Sequence, residues 1–146
     1  MKILYFLSLV VFCNGLPLNS APENVQTTTF INPDETELYF VVTWDKVESS
    51  DAADPILGYK VKVFEGKVNV THVTKADGSK VTELDIDLEN EPQEPSVEVA
   101  EIDVSADKNE YTYHNMKEKV RYEVAVQAYT AKSVGPESKR SKFVWA

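Results

Sequence analysis

The chain has 146 residues, 42% hydrophobic and 27% charged, with 24 acidic against 15 basic side chains and a net charge of −9. That length fits one domain. The acidity argues against partners that repel it, nucleic acid and anionic membrane surfaces, and a single cysteine, Cys13, excludes a disulfide-framed scaffold.

The chain opens with Met1-Lys2, an almost uninterrupted apolar run from Ile3 to Phe12, and then Cys13-Asn14-Gly15. One positive charge, an apolar stretch and small residues in that order predict a secretory signal cut after Gly15, so residues 1–15 are assigned to the signal and 16–146 to one domain. A membrane anchor is the alternative, but the run is too short for a bilayer core that needs about 20 residues. No second apolar stretch follows, and the C-terminus lacks a lipid-anchor tail. The expected product is soluble, extracellular and free of cysteine.

Thr36 to Trp44 places Leu38, Phe40, Val42 and Trp44 on one face, the two-residue period of a half-buried strand. Gly58 to Phe64 repeats it with Tyr59, Val61 and Val63 inward and Lys60 and Lys62 outward. Val68 to Thr74 and Val81 to Leu88 alternate around Ala76-Asp77-Gly78-Ser79, which predicts a hairpin. Glu89 to Pro95 is a polar break, and Ser96 to Val104 alternates again through Val97, Val99, Ile102 and Val104. Arg121 to Thr130 carries Tyr122, Val124, Val126 and Ala128 on one side. Asn32-Pro33-Asp34, Glu48 to Pro55 and Gly135-Pro136 punctuate these runs as turns or loops. With no apolar period of 3.6 residues, the pattern predicts an all-β antiparallel sandwich or barrel.

Several of these segments, in this order, resemble the fibronectin type III family. Pro22-Glu-Asn-Val25 is similar to its opening strand, Val42-Thr-Trp44-Asp to its second, and Pro55-Ile56-Leu-Gly58-Tyr59-Lys-Val61 to its third. The most specific segment runs from Tyr111 through Tyr113, Met116, Tyr122, Val124 and Val126 to Ala128, with Met116 where the family has leucine six residues before its tyrosine. Gly135-Pro136-Glu-Ser138 resembles the turn into the last strand. The resemblance implies an immunoglobulin-like antiparallel β-sandwich of fibronectin type III type with Trp44, Tyr59, Met116 and Tyr122 in its core. It also implies a tyrosine corner, in which the Tyr122 hydroxyl bonds to backbone a few residues upstream. Two departures stand out: Glu118 occupies a position where the family commonly has proline, and an insert at about 67–108 separates the third strand from the Tyr111 strand.

Asn69-Val70-Thr71, inside that insert, is an N-glycosylation acceptor, so a glycan is expected at Asn69. Glu83 to Glu110 holds eleven acidic residues and one basic, Lys108. Calcium takes six to eight oxygens and such a run contains them, but acids alternating with Ile86 and Leu88 are strand patterning; a solvated sheet face is the reading adopted, with an acidic docking surface between the two.

Catalysis is not expected. Outside Cys13 there is no thiol, the two histidines His72 and His114 are distant in sequence, and neither a Gly-x-Ser-x-Gly elbow nor a Gly-rich phosphate loop occurs. No cofactor or metal site is expected either. The resemblance implies recognition through loops at one end of the sandwich: Glu48, Ser49, Ser50 and Asp51 in one, Thr130, Lys132 and Ser133 in the other. The family's integrin tripeptide Arg-Gly-Asp is absent. The expected function is a secreted extracellular protein-interaction module; the alternative is a soluble carrier of a small apolar ligand.

Overall fold

The computed structural model describes residues 18–146 and contains ten strands; the expected secretory segment lies outside the described residues. The strands are β1 (Gln26–Ile31), β2 (Leu38–Thr43), β3 (Gly58–Lys67), β4 (Asn69–Thr74), β5 (Lys80–Asp85), β6 (Val97–Ser105), β7 (Glu110–Tyr113), β8 (Val120–Tyr129), β9 (Val134–Glu137) and β10 (Ser141–Val144). One sheet runs β1-β2-β7; the other runs β10-β8-β3-β6, with β9 also pairing β8. Among the described residues the strands pair antiparallel throughout, as hairpins and sandwich crossovers require.

The alternation read from the sequence sets the core. Leu38, Phe40, Val42 and Trp44 are buried from one sheet, and Tyr59, Val61, Val63, Tyr122, Val124, Val126 and Ala128 from the other. Trp44 packs on Tyr59 with ring centroids 5.3 Å apart, and Phe40 meets Tyr113 and Phe143 at 4.9 Å each. Rings this close, stacked or edge-on, are in the arrangements aromatic pairs favour. At one lateral seam the sheets are tied by the Thr27 and Ser141 hydroxyls, 2.8 Å apart. Gly58 is required where β3 crosses β6, because a Cβ there would lie 2.6 Å from the Val104 carbonyl oxygen.

The insert is narrower than 67–108. Val97–Ser105 pairs with Gly58–Glu65 as the outer strand of the second sheet, so what projects from the sandwich is the stretch between β3 and β6. Within it β4 and β5 form the expected hairpin, turned by Gly78 at φ 85°. β5 stops at Asp85 rather than continuing to Leu88. Two residues on, the Asp87 carboxylate accepts the backbone N–H groups of Glu89 and Asn90, and that turn ends the ladder.

Candidate functional site

The end loops adjoin, but most of their polar groups face one another. The Thr130 hydroxyl, buried, donates to Asp54 Oδ2 at 2.6 Å and accepts the backbone N–H of Ser133 at 3.1 Å. Ser49 Oγ donates to the Asp54 carbonyl at 2.7 Å, the Asp51 carboxylate accepts the Ala53 N–H, and Ser133 Oγ accepts the Leu18 N–H. Thr130, Ser49, Asp51 and Ser133 therefore hold the loops in shape. Of the end-loop residues singled out from sequence, Glu48, Ser50 and Lys132 are the exposed ones.

A second assembly was not anticipated from the sequence and lies on the outer face of β8. Arg121 and Glu123 point away from the core yet are 4% and 2% exposed. Glu123 Oε2 lies 3.5 Å from Arg121 Nε, and Glu123 Oε1 lies 3.5 Å from Arg140 Nη1. Ser96 donates its hydroxyl to Glu123, and Arg140 Cζ lies over the Phe64 ring, 3.8 Å from its centroid. The Arg121 guanidinium also donates to the carbonyls of Asp87 at 2.8 Å and Asn90 at 3.2 Å. Those bonds clamp the insert onto the sheet. The side chain of Asn90 and its backbone N–H, both bonded to the Asp87 carboxylate, hold that acid below the usual carboxylate range. The available signal was the outward phase of Arg121 and Glu123 beside a long connection that needed a surface to lie on.

Between the insert and the sheet is a cavity of about 220 Å³ lined by Asn69, Asp85, Asp87, Asn90, Arg121 and Val144, among others. Asn69 is exposed at its rim and opposes Asp85 across the hairpin. Ionisable and amide groups dominate this lining, unlike the apolar wall a hydrophobic ligand needs. Between the sheets, Trp44, Tyr59, Tyr113, Tyr122 and Phe143 fill the space.

The two histidines do not meet. His72 lies on β4 beside Thr82, and His114, exposed, bonds Glu37 at 2.8 Å. Among the described residues no three His, Cys, Asp or Glu side chains converge on a metal-sized site, and no helix is long and apolar enough to cross a membrane.

Two antiparallel sheets packed around Trp44 and Tyr122, whose hydroxyl accepts the backbone N–H of Lys117 five residues upstream, define an immunoglobulin-like β-sandwich. Residues 20–144 match the Fibronectin type III domain, and the chain belongs to that family. It is similar in fold to the third fibronectin III domain of the human KIAA0343 protein. That alignment has a TM-score of 0.55 at 16% identity and covers 90% of this chain and 86% of that one. A solved myokine structure aligns with a TM-score of 0.49 at 18% identity, over 87% of this chain and 97% of that one. No curated protein matches the chain in sequence. Fibronectin type III domains commonly mediate protein–protein interaction, are typically extracellular, and are typically not enzymes.

Proposed function

We propose that the chain is secreted after loss of residues 1–15 and acts through residues 16–146 as an extracellular protein-interaction module carrying a glycan on Asn69. The observation that carries this reading is the closed aromatic core of a fibronectin type III domain: with Trp44 on Tyr59, and Phe40 on Tyr122 and Phe143, in contact across it, recognition falls to the surface. An exposed Asn69 at the start of β4 is open to the glycosylation machinery. Against the carrier alternative, aromatic side chains fill the space between the sheets, and ionisable and amide groups make up most of the lining of the cavity under the insert.

Expression in a secretory host tests the first half. The intact mass of the secreted product should correspond to a chain starting at Leu16 plus a glycan removed by an N-glycosidase and lost in Asn69→Gln. The thiol-free product should melt at the same temperature with and without reductant. A product retaining Cys13, or retained in the cell, contradicts secretion as proposed. Tryptophan emission tests the carrier: a blue-shifted band unmoved by added fatty acid fits the module, and a ligand-dependent shift fits the carrier.

A further inference from the structure

β6 is the outer strand of its sheet. One edge pairs β3, and among the described residues no strand pairs the other. An unpaired edge offers a row of backbone N–H and C=O groups to any extended chain, and proteins usually blunt it by shortness, proline, bulges, or charges that repel an unwanted strand or point inward. β6 has nine residues and no proline. Its core-facing side chains are Ala100, Ile102 and Val104, all apolar, while Glu101 and Asp103 lie on the solvent face beside Glu98. Val97 and Val99 are 66% and 45% exposed. The register breaks between Val63 and Phe64, so the bulge falls at the Val97 end and leaves Ala100–Ser105 regular.

The strand on the other side of β6 shows what such an edge accepts. β3 sets Lys60 opposite Asp103 and Lys62 opposite Glu101, separated by core-facing Val61, and Lys60 Nζ lies 3.2 Å from Glu101 Oε1. Opposite charges facing each other across a strand pair are favourable, and like charges are not. A second copy of β6 paired antiparallel about Glu101, Ile102 or Asp103 would set acid against acid. The groove between β6 and β7 extends the same character through Asp103, Glu110 and Tyr111, with Lys108 its basic residue.

We propose that the free edge of β6 over Ala100–Ser105 receives an extended basic segment of a partner protein as an added strand. Lysine or arginine at alternate positions then lies against Glu101 and Asp103, and the residues between them face the seam near Tyr111. This rests on the interaction-module reading and names its surface and its partner's chemistry.

The test uses the isotope-labelled secreted chain and a peptide of alternating lysine and valine about as long as β6. One control peptide has glutamate for lysine; the other keeps the charge but replaces each valine with proline, which cannot add to a sheet. The lysine–valine peptide should shift the amide signals of Ala100–Ser105 and slow their hydrogen exchange, less so at raised salt, which screens the pairing. Neither control should do so. Glu101→Lys with Asp103→Lys should weaken binding about tenfold or more. Asp103→Asn, which keeps the Lys60–Glu101 pair, should weaken it several-fold, with the melting temperature confirming that each variant is folded. Equal binding of the proline peptide, shifts mapping to the Glu48 or Thr130 loops, or self-pairing of β6 would each overturn the proposal. A native partner that binds the chain while leaving β6 amides unchanged overturns the edge and leaves the module reading intact.

Discussion

The Tyr122 hydroxyl accepts the backbone N–H of Lys117 at 2.9 Å and donates to Glu65 Oε1 at 3.1 Å. Lys117 closes the ring from its other end, its Nζ 3.2 Å from Glu65 Oε2. The corner therefore joins β8, the turn before it and the end of β3, and burial pushes the hydroxyl well above the ordinary tyrosine range. Tyr122→Phe leaves an N–H donor and a carboxylate short of a partner, at an expected cost of about 1–3 kcal/mol. Tyr59→Phe should be intermediate, because Tyr59 Oη accepts the Val47 N–H at 3.0 Å. Tyr113→Phe should be mildest. Urea midpoints at constant m-value rank the three, and Tyr122→Phe as the mildest would refute the corner.

Lys119 sits in the same turn at φ 56°, held there by its N–H bond to the Trp145 carbonyl at 2.8 Å. The left-handed region costs a residue with a Cβ roughly 1–2 kcal/mol, part of which glycine returns through the entropy of the unfolded chain. Lys119→Gly should stabilise by up to about 1 kcal/mol, and Lys119→Ala should not. Thermal denaturation of both variants checks this; a destabilised glycine variant would mean that the lysine side chain matters more than its backbone.

Glu123 and Arg121 should behave as a coupled buried pair. Removing one partner strands a charge, at about 3–5 kcal/mol, so Glu123→Leu and Arg121→Met should each be severe. The double variant should be milder than the sum of the two, by a double-mutant cycle. Arg121→Met should also raise hydrogen exchange in residues 86–96, because the bonds to the Asp87 and Asn90 carbonyls are lost. Additive effects with an unchanged insert would refute the clamp.

The core was legible because each sheet has one apolar face: Leu38, Phe40, Val42 and Trp44, or Tyr122, Val124, Val126 and Ala128, state their own phase by alternation. The outer assembly was not. Arg121 and Glu123 alternate as solvent-facing residues do, and their burial comes from an insert whose docking depends on carbonyls of Asp87 and Asn90, groups every residue has. The place of β6 was likewise hidden. Its valines alternate plainly, but long-range pairing to β3 past a bulge leaves no local mark, so alternation alone does not separate β6 from the projecting stretch before it. In the end loops, Thr130 and Ser49 read as exposed polar residues until Asp54 is brought between them.

Asp87 gives the insert a pH dependence. Its folded-state pKa is lowered, chiefly by hydrogen bonding to the Asn90 side chain, so the ionised form contributes stability above the unfolded value of about 3.9. That contribution is lost as pH falls through the folded value. A carboxyl titration followed by NMR should place Asp87 below about 3.9, with the Asn90 amide signal moving in step. Titration at or above that value would show that the turn does not hold the carboxylate.

The most direct test of the interaction-module reading is capture by the glycosylated secreted chain, immobilised in its native extracellular fluid and competed with the same chain in solution. A protein should be retained in fixed proportion to the chain, released by the soluble competitor, and retained equally by Tyr122→Phe at a temperature where that variant is folded. Co-extraction of a stoichiometric apolar small molecule with no protein retained would contradict it.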